Sequence, residues 1–154
     1  MEYFLQKQSD TLFIRLAPGD LFLEGIQKAC QKSDIRYGTI TSCIGSLSRT
    51  AYTYVKADSS STTGIAYRDT ITTDKANEVI SANGTIGLNT DGAMDIHMHA
   101  LMVDIDGTMF AGHMMPGCVV CATMEISIAV AETGQMIREY DEVLKFPLFH
   151  FKKN

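Results

Sequence analysis

The sequence lacks both extended basic blocks and long apolar runs. Lys and Arg number 13 against 18 Asp and Glu, which gives a net charge of -5 at pH 7 across 154 residues. Tight non-specific binding to nucleic acid needs many cations that neutralise phosphates, so this balance argues against it. The basic pair Lys152-Lys153 near the end does not change that conclusion. Because no stretch of about 18 apolar residues occurs, we predict no membrane-spanning segment.

The sequence predicts neither a signal peptide nor a disulfide framework. Glu2 stands where a signal peptide would carry positive charge, and no long apolar segment follows it. The chain has four cysteines, but a chain of this length buries a core of its own and does not depend on disulfides. We therefore expect reduced thiols and a cytoplasmic protein.

One segment has the apolar spacing of an amphipathic helix. Four apolar residues fall at i, i+4, i+7 and i+8 and would share one helix face: Phe22, Ile26, Ala29 and Cys30. The turn-like Pro18-Gly19-Asp20 precedes them, and Asp20 is a good N-cap because its carboxylate can accept from the free amides of the first turn. The pattern predicts a helix over Leu21–Lys32.

Strand-like segments dominate the rest of the chain. They are Thr11–Leu16, Tyr37–Ile44, Thr50–Val55, Ile65–Thr72, Glu78–Ile86, Ile96–Val103, Met109–Met114 and Val119–Val130. The later Val143–Phe149 is either an edge strand or an irregular tail. This pattern predicts an α+β fold, a mainly antiparallel twisted sheet of about eight strands with one principal packed helix. We expect a single domain over 1–154, with its core over about 11–130 and a C-terminal strand or tail over 131–154.

Two histidines in one predicted strand form the most informative feature. Side chains alternate between the faces of a strand, so His97 and His99 share one face. Two imidazoles on one face, two residues apart, can chelate a single ion. A third histidine, His113, lies on the next predicted strand, across a hairpin.

The register of that hairpin decides whether His113 joins the pair. If the loop is the three residues 105–107, with Gly107 in the left-handed conformation, His99 faces His113 and all three rings share a face. If the loop is Asp106-Gly107 alone, His113 turns to the opposite face. We favour the three-residue loop because it gathers three of the four histidines. This preference assumes in advance that the histidines form a site. A bulge at Gly112 would also restore the geometry.

Three histidines with an open fourth position are typical of a catalytic zinc site. Imidazole also suits iron, nickel and copper, so the ligand set alone does not fix the metal. The alternative is that His97 and His99 line a polar groove or a subunit seam without metal.

Three further features have alternative interpretations. Cys118 and Cys121 have redox C-x-x-C spacing, but they open a strand-like segment and are better interpreted as buried structural thiols. Glu125 sits inside an apolar strand, where it either meets a metal-bound water, an arginine or a subunit neighbour, or faces outward on a half-exposed strand. The methionines concentrated between Met94 and Met124 are better explained by packing than by copper ligation.

An ordered set of short motifs runs over about Thr11 to Val130. The motifs are Pro18-Gly19-Asp20, Cys43–Leu47, Glu78–Gly84, His97–Ala100, Asp106-Gly107, Gly112-His113, Gly117 and Thr123–Ile126. In this order they resemble one known family, the plants-and-prokaryotes-conserved (PPC) domain. The resemblance implies an antiparallel sheet with a packed helix, a homotrimer and DNA binding. In plant members the AT-hook, a short Arg/Gly/Pro minor-groove segment, is separate from this domain. No Arg-Gly-Arg-Pro-like segment occurs here, so DNA contact would be weak or indirect.

The histidine pattern is also similar to that of acetolactate decarboxylase, a related fold whose zinc is held by three histidines. This likeness implies that His97, His99 and His113 are ligands of a divalent transition metal, with zinc the first choice. A likeness of fold and ligands does not transfer a substrate.

Two functions remain as hypotheses. The first is a trimeric regulatory or binding module that carries a three-histidine metal site. The alternative is a metal-dependent lyase or hydrolase that acts on a small carboxylate-type molecule, with Glu125 as candidate general base or acid. In that case one arginine would hold the carboxylate by bidentate hydrogen bonds. The candidates are Arg15, Arg36, Arg49 and Arg68.

Overall fold

The computed structural model describes residues 1–6 and 10–153 and contains twelve strands and one helix in that part of the chain. The strands are β1 Glu2–Gln6, β2 Thr11–Leu16, β3 Gly38–Thr53, β4 Val55–Ala57, β5 Ile65–Tyr67, β6 Ile71–Thr73, β7 Asn77–Asn89, β8 Met94–Asp104, β9 Met109–Met114, β10 Val119–Val130, β11 Gln135–Asp141 and β12 Phe146–Lys152. Helix α1 is Phe22–Lys32. This helix is too short to cross a membrane.

Ten of the strands form one mixed sheet. Its main path runs β1-β2-β10-β3-β9-β8-β7-β11-β12, and β6 pairs with β3 beside this path. Because β3 also pairs with β7, the strands β3, β7, β8 and β9 close into a ring of paired strands. The pairing of β11 with β7 is parallel, and the other pairings between described strands are antiparallel. The strands β4 and β5 form a separate small sheet.

Helix α1 covers the core and packs against β2, β8 and β10. The predicted apolar stripe forms its inner face: Phe22, Ile26, Ala29 and Cys30 are all fully buried. On β8 the alternation places Met98, Ala100 and Met102 in the same core. The opposite face of β8 is thereby free to present His97 and His99 outward.

The predicted start of the helix needs a correction. The N-cap is Leu21, which makes no side-chain capping bond. The Asp20 carboxylate instead accepts from the Ala17 N–H at 2.9 Å, while the Asp20 N–H donates to the Ala17 carbonyl at 3.1 Å. Asp20 therefore closes the preceding turn and does not cap the helix.

The α+β class and the mainly antiparallel sheet are as predicted, but the described residues form twelve strands instead of about eight, and the helix is a minor element. The predicted strands Tyr37–Ile44 and Thr50–Val55 are largely one long strand, β3. The C-terminal segment forms β11 and β12, where one edge strand or a tail was expected. The predicted strand Ile65–Thr72 corresponds to two short strands, β5 and β6, with residues 68–70 between them. The strands absent from the prediction are the N-terminal β1 and the small β4, and a strand of three residues such as β4 carries too little pattern to predict.

Gly84 allows the close approach of the strands that carry the histidines. It lies inside β7 and pairs with Ile40 on one side and Met98 on the other. A Cβ at this position would lie 2.2 Å from the His97 carbonyl oxygen and 2.8 Å from the Met98 Cα. The glycine therefore sets how closely β7 approaches the backbone of His97.

Candidate metal centre

The hairpin between β8 and β9 determines which face His113 occupies. The Asp104 N–H donates to the Thr108 carbonyl at 3.0 Å, so the loop is the three residues 105–107. Gly107 has φ of 79°, a conformation that glycine adopts without steric cost. His99 lies directly opposite His113 in the resulting register. The three-residue loop expected from the sequence is confirmed.

The three imidazoles converge on the outer face of the sheet. One ring nitrogen from each of His97, His99 and His113 lies within 4.8 Å of the other two. The Nε2 atoms of His97 and His99 are 3.2 Å apart. Two nitrogens that bind one tetrahedral zinc ion at about 2.05 Å lie about 3.3 Å apart, so the spacing fits ligands that share an ion. It also fits an N–H···N hydrogen bond between two neutral rings.

Burial keeps two of these rings in the form that metals require. It lowers the pKa of His113 from 6.5 to about 4, with smaller contributions from His97, Arg138 and His99. Burial likewise lowers the pKa of His97. The His113 Nδ1 is buried and has no hydrogen-bond partner among the described residues. Neutral imidazoles with an unpartnered ring nitrogen form a donor set that is able to hold a metal ion.

A pocket of about 350 Å³, with charged and apolar side chains in its wall, adjoins His113. Its wall includes His113, Asp95, Arg138 and Glu24. The Arg138 Nη1 donates to the Asp95 Oδ1 at 3.0 Å, and the Arg138 side chain is only 14% exposed. The parallel pairing of β11 with β7 brings Arg138 to this position. Sequence reasoning missed Arg138 and Glu24, because neither carries a local motif.

An aromatic wall borders the centre on another side. The Tyr67 and His113 rings meet in an edge-type arrangement at a centroid distance of 5.7 Å, and the Phe146 and Tyr67 rings do so at 5.6 Å. Tyr67 belongs to β5, so the small β4–β5 sheet covers this side of His113. The centre therefore has an aromatic border and a charged border.

Glu125 is not brought beside the histidines. It lies exposed on β10, opposite Arg15 on β2 and Ile44 on β3. With Arg15 and Glu2 it lines a separate cavity, whose wall does not include His113. A catalytic role for Glu125 stays a prediction.

The four candidate arginines also lie away from the pocket that His113 lines. Arg15 pairs with Glu2 at 2.6 Å, Arg49 lies 3.5 Å from Asp74, and Arg68 covers the ring of Tyr54 at 5.1 Å. Arg36 is exposed and lines a different cavity. The arginine that does line the pocket is Arg138.

The C-x-x-C cysteines lie in different environments. Cys118 is buried, and burial raises the pKa of its thiol. Cys121 is exposed, contrary to the expectation that both would be buried. The interpretation of Cys118 as a structural thiol is confirmed, since its Sγ contacts the backbone of Ala51 and Met115.

The fold and the motif order define a member of a known domain family. Residues 3–132 match the family model described as the Plants and Prokaryotes Conserved (PCC) domain. The chain therefore belongs to the PCC family, the family written PPC above.

Curated relatives and solved structures extend this relationship. The chain is 26% identical over 140 residues to the bifunctional protein GlmU of Synechococcus sp. strain JA-3-3Ab, which matches 91% of this chain. The chain spans about a fifth of the length of the curated relatives it matches. A hypothetical protein from Salmonella enterica is 28% identical, with a TM-score of 0.77 and 94% of each chain covered.

Two more distant structures share the fold. A candidate DNA-binding protein from Bacteroides thetaiotaomicron is 18% identical, with a TM-score of 0.79 and 97% of each chain covered. A metal-containing protein from Archaeoglobus fulgidus is 21% identical, with a TM-score of 0.75 and coverage of 97% of this chain and 96% of that chain. At these identities the likeness concerns the fold alone.

Proposed function

We propose that this PCC-family protein is a cytoplasmic, metal-binding regulatory module in which His97, His99 and His113 hold one divalent ion, with zinc the expected metal. The observation that carries the proposal is the convergence of three rings from two paired strands. A fold neighbour from Archaeoglobus described as metal-containing supports it.

The ligand chemistry fits a transition metal. The set contains nitrogen donors only, which suits zinc and its neighbours better than magnesium or calcium. The buried Nδ1 of His113 has no hydrogen-bond partner among the described residues, and a bound ion would satisfy it. If Nε2 is the ligand instead, a flip of the His113 ring would turn that nitrogen towards the ion. Three protein ligands leave a fourth position for a further donor.

The surroundings of the ligands have their own roles. A zinc ion, when bound, supplies Lewis-acid polarisation of an oxygen ligand. Arg138, paired with Asp95, places a fixed charge pair next to His113. Tyr67 shields one side of the His113 ring from water.

The module is proposed to act as a homotrimer. Large apolar side chains remain exposed on the sheet in the single chain, including Ile44 at 50%, Ile80 at 47% and Met109 at 64%. Exposed apolar surface of this kind is typical of subunit interfaces. Light scattering should return about three times the chain mass of 16.9 kDa, and a monomeric mass would refute the assembly.

Regulation is proposed to proceed through protein contacts or weak DNA contacts. The Bacteroides neighbour described as a candidate DNA-binding protein favours a DNA role, whereas the net charge of -5 limits its strength. A gel-shift titration at physiological salt separates the two contacts. If micromolar protein shifts no duplex, the DNA part is wrong.

Elemental analysis of the purified protein tests the metal site. We expect about one metal ion per chain, and loss of that metal in the His97→Ala/His99→Ala variant with its circular dichroism unchanged. His150→Ala is the matched control, because His150 lies on β12 outside the cluster, and it should keep the metal. Protein that carries no metal and takes up no added zinc would refute the proposal. Loss of stability together with the metal would make the ion structural.

A metal-dependent lyase or hydrolase acting on a small carboxylate is the second candidate function. Arg138 favours it, because a guanidinium beside a three-histidine centre can bind a carboxylate. Zinc-loaded protein would be incubated with a panel of small carboxylates and followed by proton NMR. Turnover that disappears in the His97→Ala/His99→Ala variant would establish the enzyme, and absence of turnover across the panel would favour the module.

A further inference from the structure

The charged pocket beside His113 is distinct from the space that the three histidine rings enclose. It lies between α1, the start of β8, the segment after β9, and the strands β11 and β12, with a volume of about 350 Å³. Its ionisable wall consists of His113, Glu24, Asp95 and Arg138. Neither His97 nor His99 belongs to that wall, so the pocket and the ion site share only His113.

Arg138 offers unused donors to this pocket. Its Nη1 donates to the Asp95 Oδ1 at 3.0 Å and its Nε donates to the Pro147 carbonyl at 3.5 Å. A guanidinium has five N–H donors, and the remaining ones make no hydrogen bond to residues 1–6 and 10–153, although the guanidinium lies over the Phe149 ring at 5.8 Å. Because the side chain is mostly buried and held by Asp95, these donors are fixed in place for a carboxylate.

Glu24 offers the opposite charge. It lies in the first turn of α1, and its Oε2 is buried without a hydrogen-bond partner in the described part of the chain. An unpartnered buried carboxylate oxygen is costly, and a cationic donor compensates it better than a neutral one. Asp95 has Arg138 as its ion-pair partner, whereas Glu24 makes no ion pair among the described residues.

We propose that this pocket binds a small zwitterion, with its ammonium group at Glu24 and its carboxylate at Arg138. Apart from Gln27, the rest of the wall is apolar and suits a short aliphatic chain between the charged ends: Leu23, Ile96, Met114, Met115, Pro116 and Pro147. The inference rests on the proposed function in one respect, that a ligand in this pocket lies next to the metal held by His113. The two charged contacts themselves do not require the metal.

Calorimetric titration of the full chain tests the pocket with simple amino acids. Glycine, β-alanine and γ-aminobutyrate vary the separation of the two charges, while propionate and propylamine each keep one charged end. We expect one amino acid to bind at least about tenfold more tightly than both single-charge compounds, a difference of about 1.4 kcal/mol. Equal binding of propionate, or no binding of any amino acid at about millimolar concentration, would overturn the proposal.

Two substitutions assign the contacts. Glu24→Gln keeps the side-chain size and should weaken amino-acid binding about tenfold without affecting propionate. Arg138→Lys keeps the charge beside Asp95 and should weaken the binding of both the amino acid and propionate. Glu132→Gln is the matched control, because Glu132 is exposed outside the pocket and should leave binding unchanged. Wild-type affinity in folded Glu24→Gln and folded Arg138→Lys would refute the assignment.

The same titrations separate this proposal from the metal site. The His97→Ala/His99→Ala variant should lose zinc but keep amino-acid binding, since neither residue lines the pocket. If the wild type takes up no zinc but binds an amino acid, only the metal proposal is refuted. Zinc uptake without binding of any panel member would remove the zwitterion proposal alone.

Discussion

Acidification of the metal-free protein should destabilise it through His113. Burial lowers the pKa of this ring from 6.5 to about 4 in the folded chain, whereas the unfolded chain exposes it to water. Between these two pH values the unfolded state binds a proton that the folded state does not bind. The free energy of unfolding therefore falls as the pH falls from about 6.5 towards 4 and is unaffected by this group above that window.

The size of the effect follows from the shift. One pKa unit corresponds to about 1.4 kcal/mol, so the full shift of His113 is worth about 3 kcal/mol at most, of which about 2 kcal/mol is lost by pH 5. The ring is partly exposed and solvent screening reduces these limits, so we expect a loss of about 1 kcal/mol by pH 5. The lowered pKa of His97 acts in the same direction.

Urea unfolding in the presence of a chelator, at about pH 7 and about pH 5, measures the loss. His113→Gln should remove most of the pH dependence, because its side chain does not titrate. His150→Gln, which changes a histidine outside the cluster, should retain the wild-type dependence. Equal pH dependence in His113→Gln and the wild type would refute the assignment of the loss to this buried ring.

Three further predictions concern the metal, the strand contact and the core. Zinc at about 100 times its Kd should add about 2.7 kcal/mol to the free energy of unfolding and raise Tm by roughly 5–10 °C. The His97→Ala/His99→Ala variant should show no such shift in thermal unfolding. Gly84→Ala should lower the free energy of unfolding by about 1–3 kcal/mol, because the added Cβ would collide with the His97 carbonyl oxygen. It should also weaken zinc binding in calorimetry, and unchanged zinc affinity would contradict the link between this strand contact and the histidines. Met102→Ala, at a fully buried site, should cost about 2–5 kcal/mol in urea unfolding and leave zinc stoichiometry unchanged.

Short-range rules predicted most of the histidine cluster and left open only the register of one hairpin, where the preferred three-residue loop was chosen because it gathers the histidines. Strand alternation places His97 and His99 on one face, and a three-residue loop with Gly107 in the left-handed conformation places His113 opposite His99. The Asp104 carboxylate reinforces this loop by accepting from the Asp106 and Thr108 N–H groups at 3.0 and 2.8 Å. Each of these signals lies within a segment of twenty residues or fewer.

The charged pocket was not predictable because it depends on distant pairings. Arg138 reaches His113 only through the parallel contact of β11 with β7, and the sequence around Arg138 has no motif that specifies this partner. Glu24 is a common first-turn acid of a helix, and its unpartnered oxygen follows from tertiary packing. The candidate arginines chosen from the sequence therefore omitted the one that lines the pocket.

Two errors in the predicted secondary structure arose where a residue has two possible local roles. Asp20 has the residue type of an N-cap, but its carboxylate is engaged by Ala17 in the preceding turn. The strand β3 continues through Gly45 because the β10 backbone approaches there, with an added Cβ only 2.2 Å from the Thr123 carbonyl oxygen. A glycine between apolar segments was equally compatible with a turn or with such a close approach.

The most direct measurement is a crystal structure of the zinc-loaded protein with anomalous data collected on both sides of the zinc absorption edge. We expect one anomalous peak per chain, about 2.0–2.1 Å from a ring nitrogen of each of His97, His99 and His113. Zinc bound elsewhere, or a peak that contacts only one of these rings, would contradict the three-histidine centre.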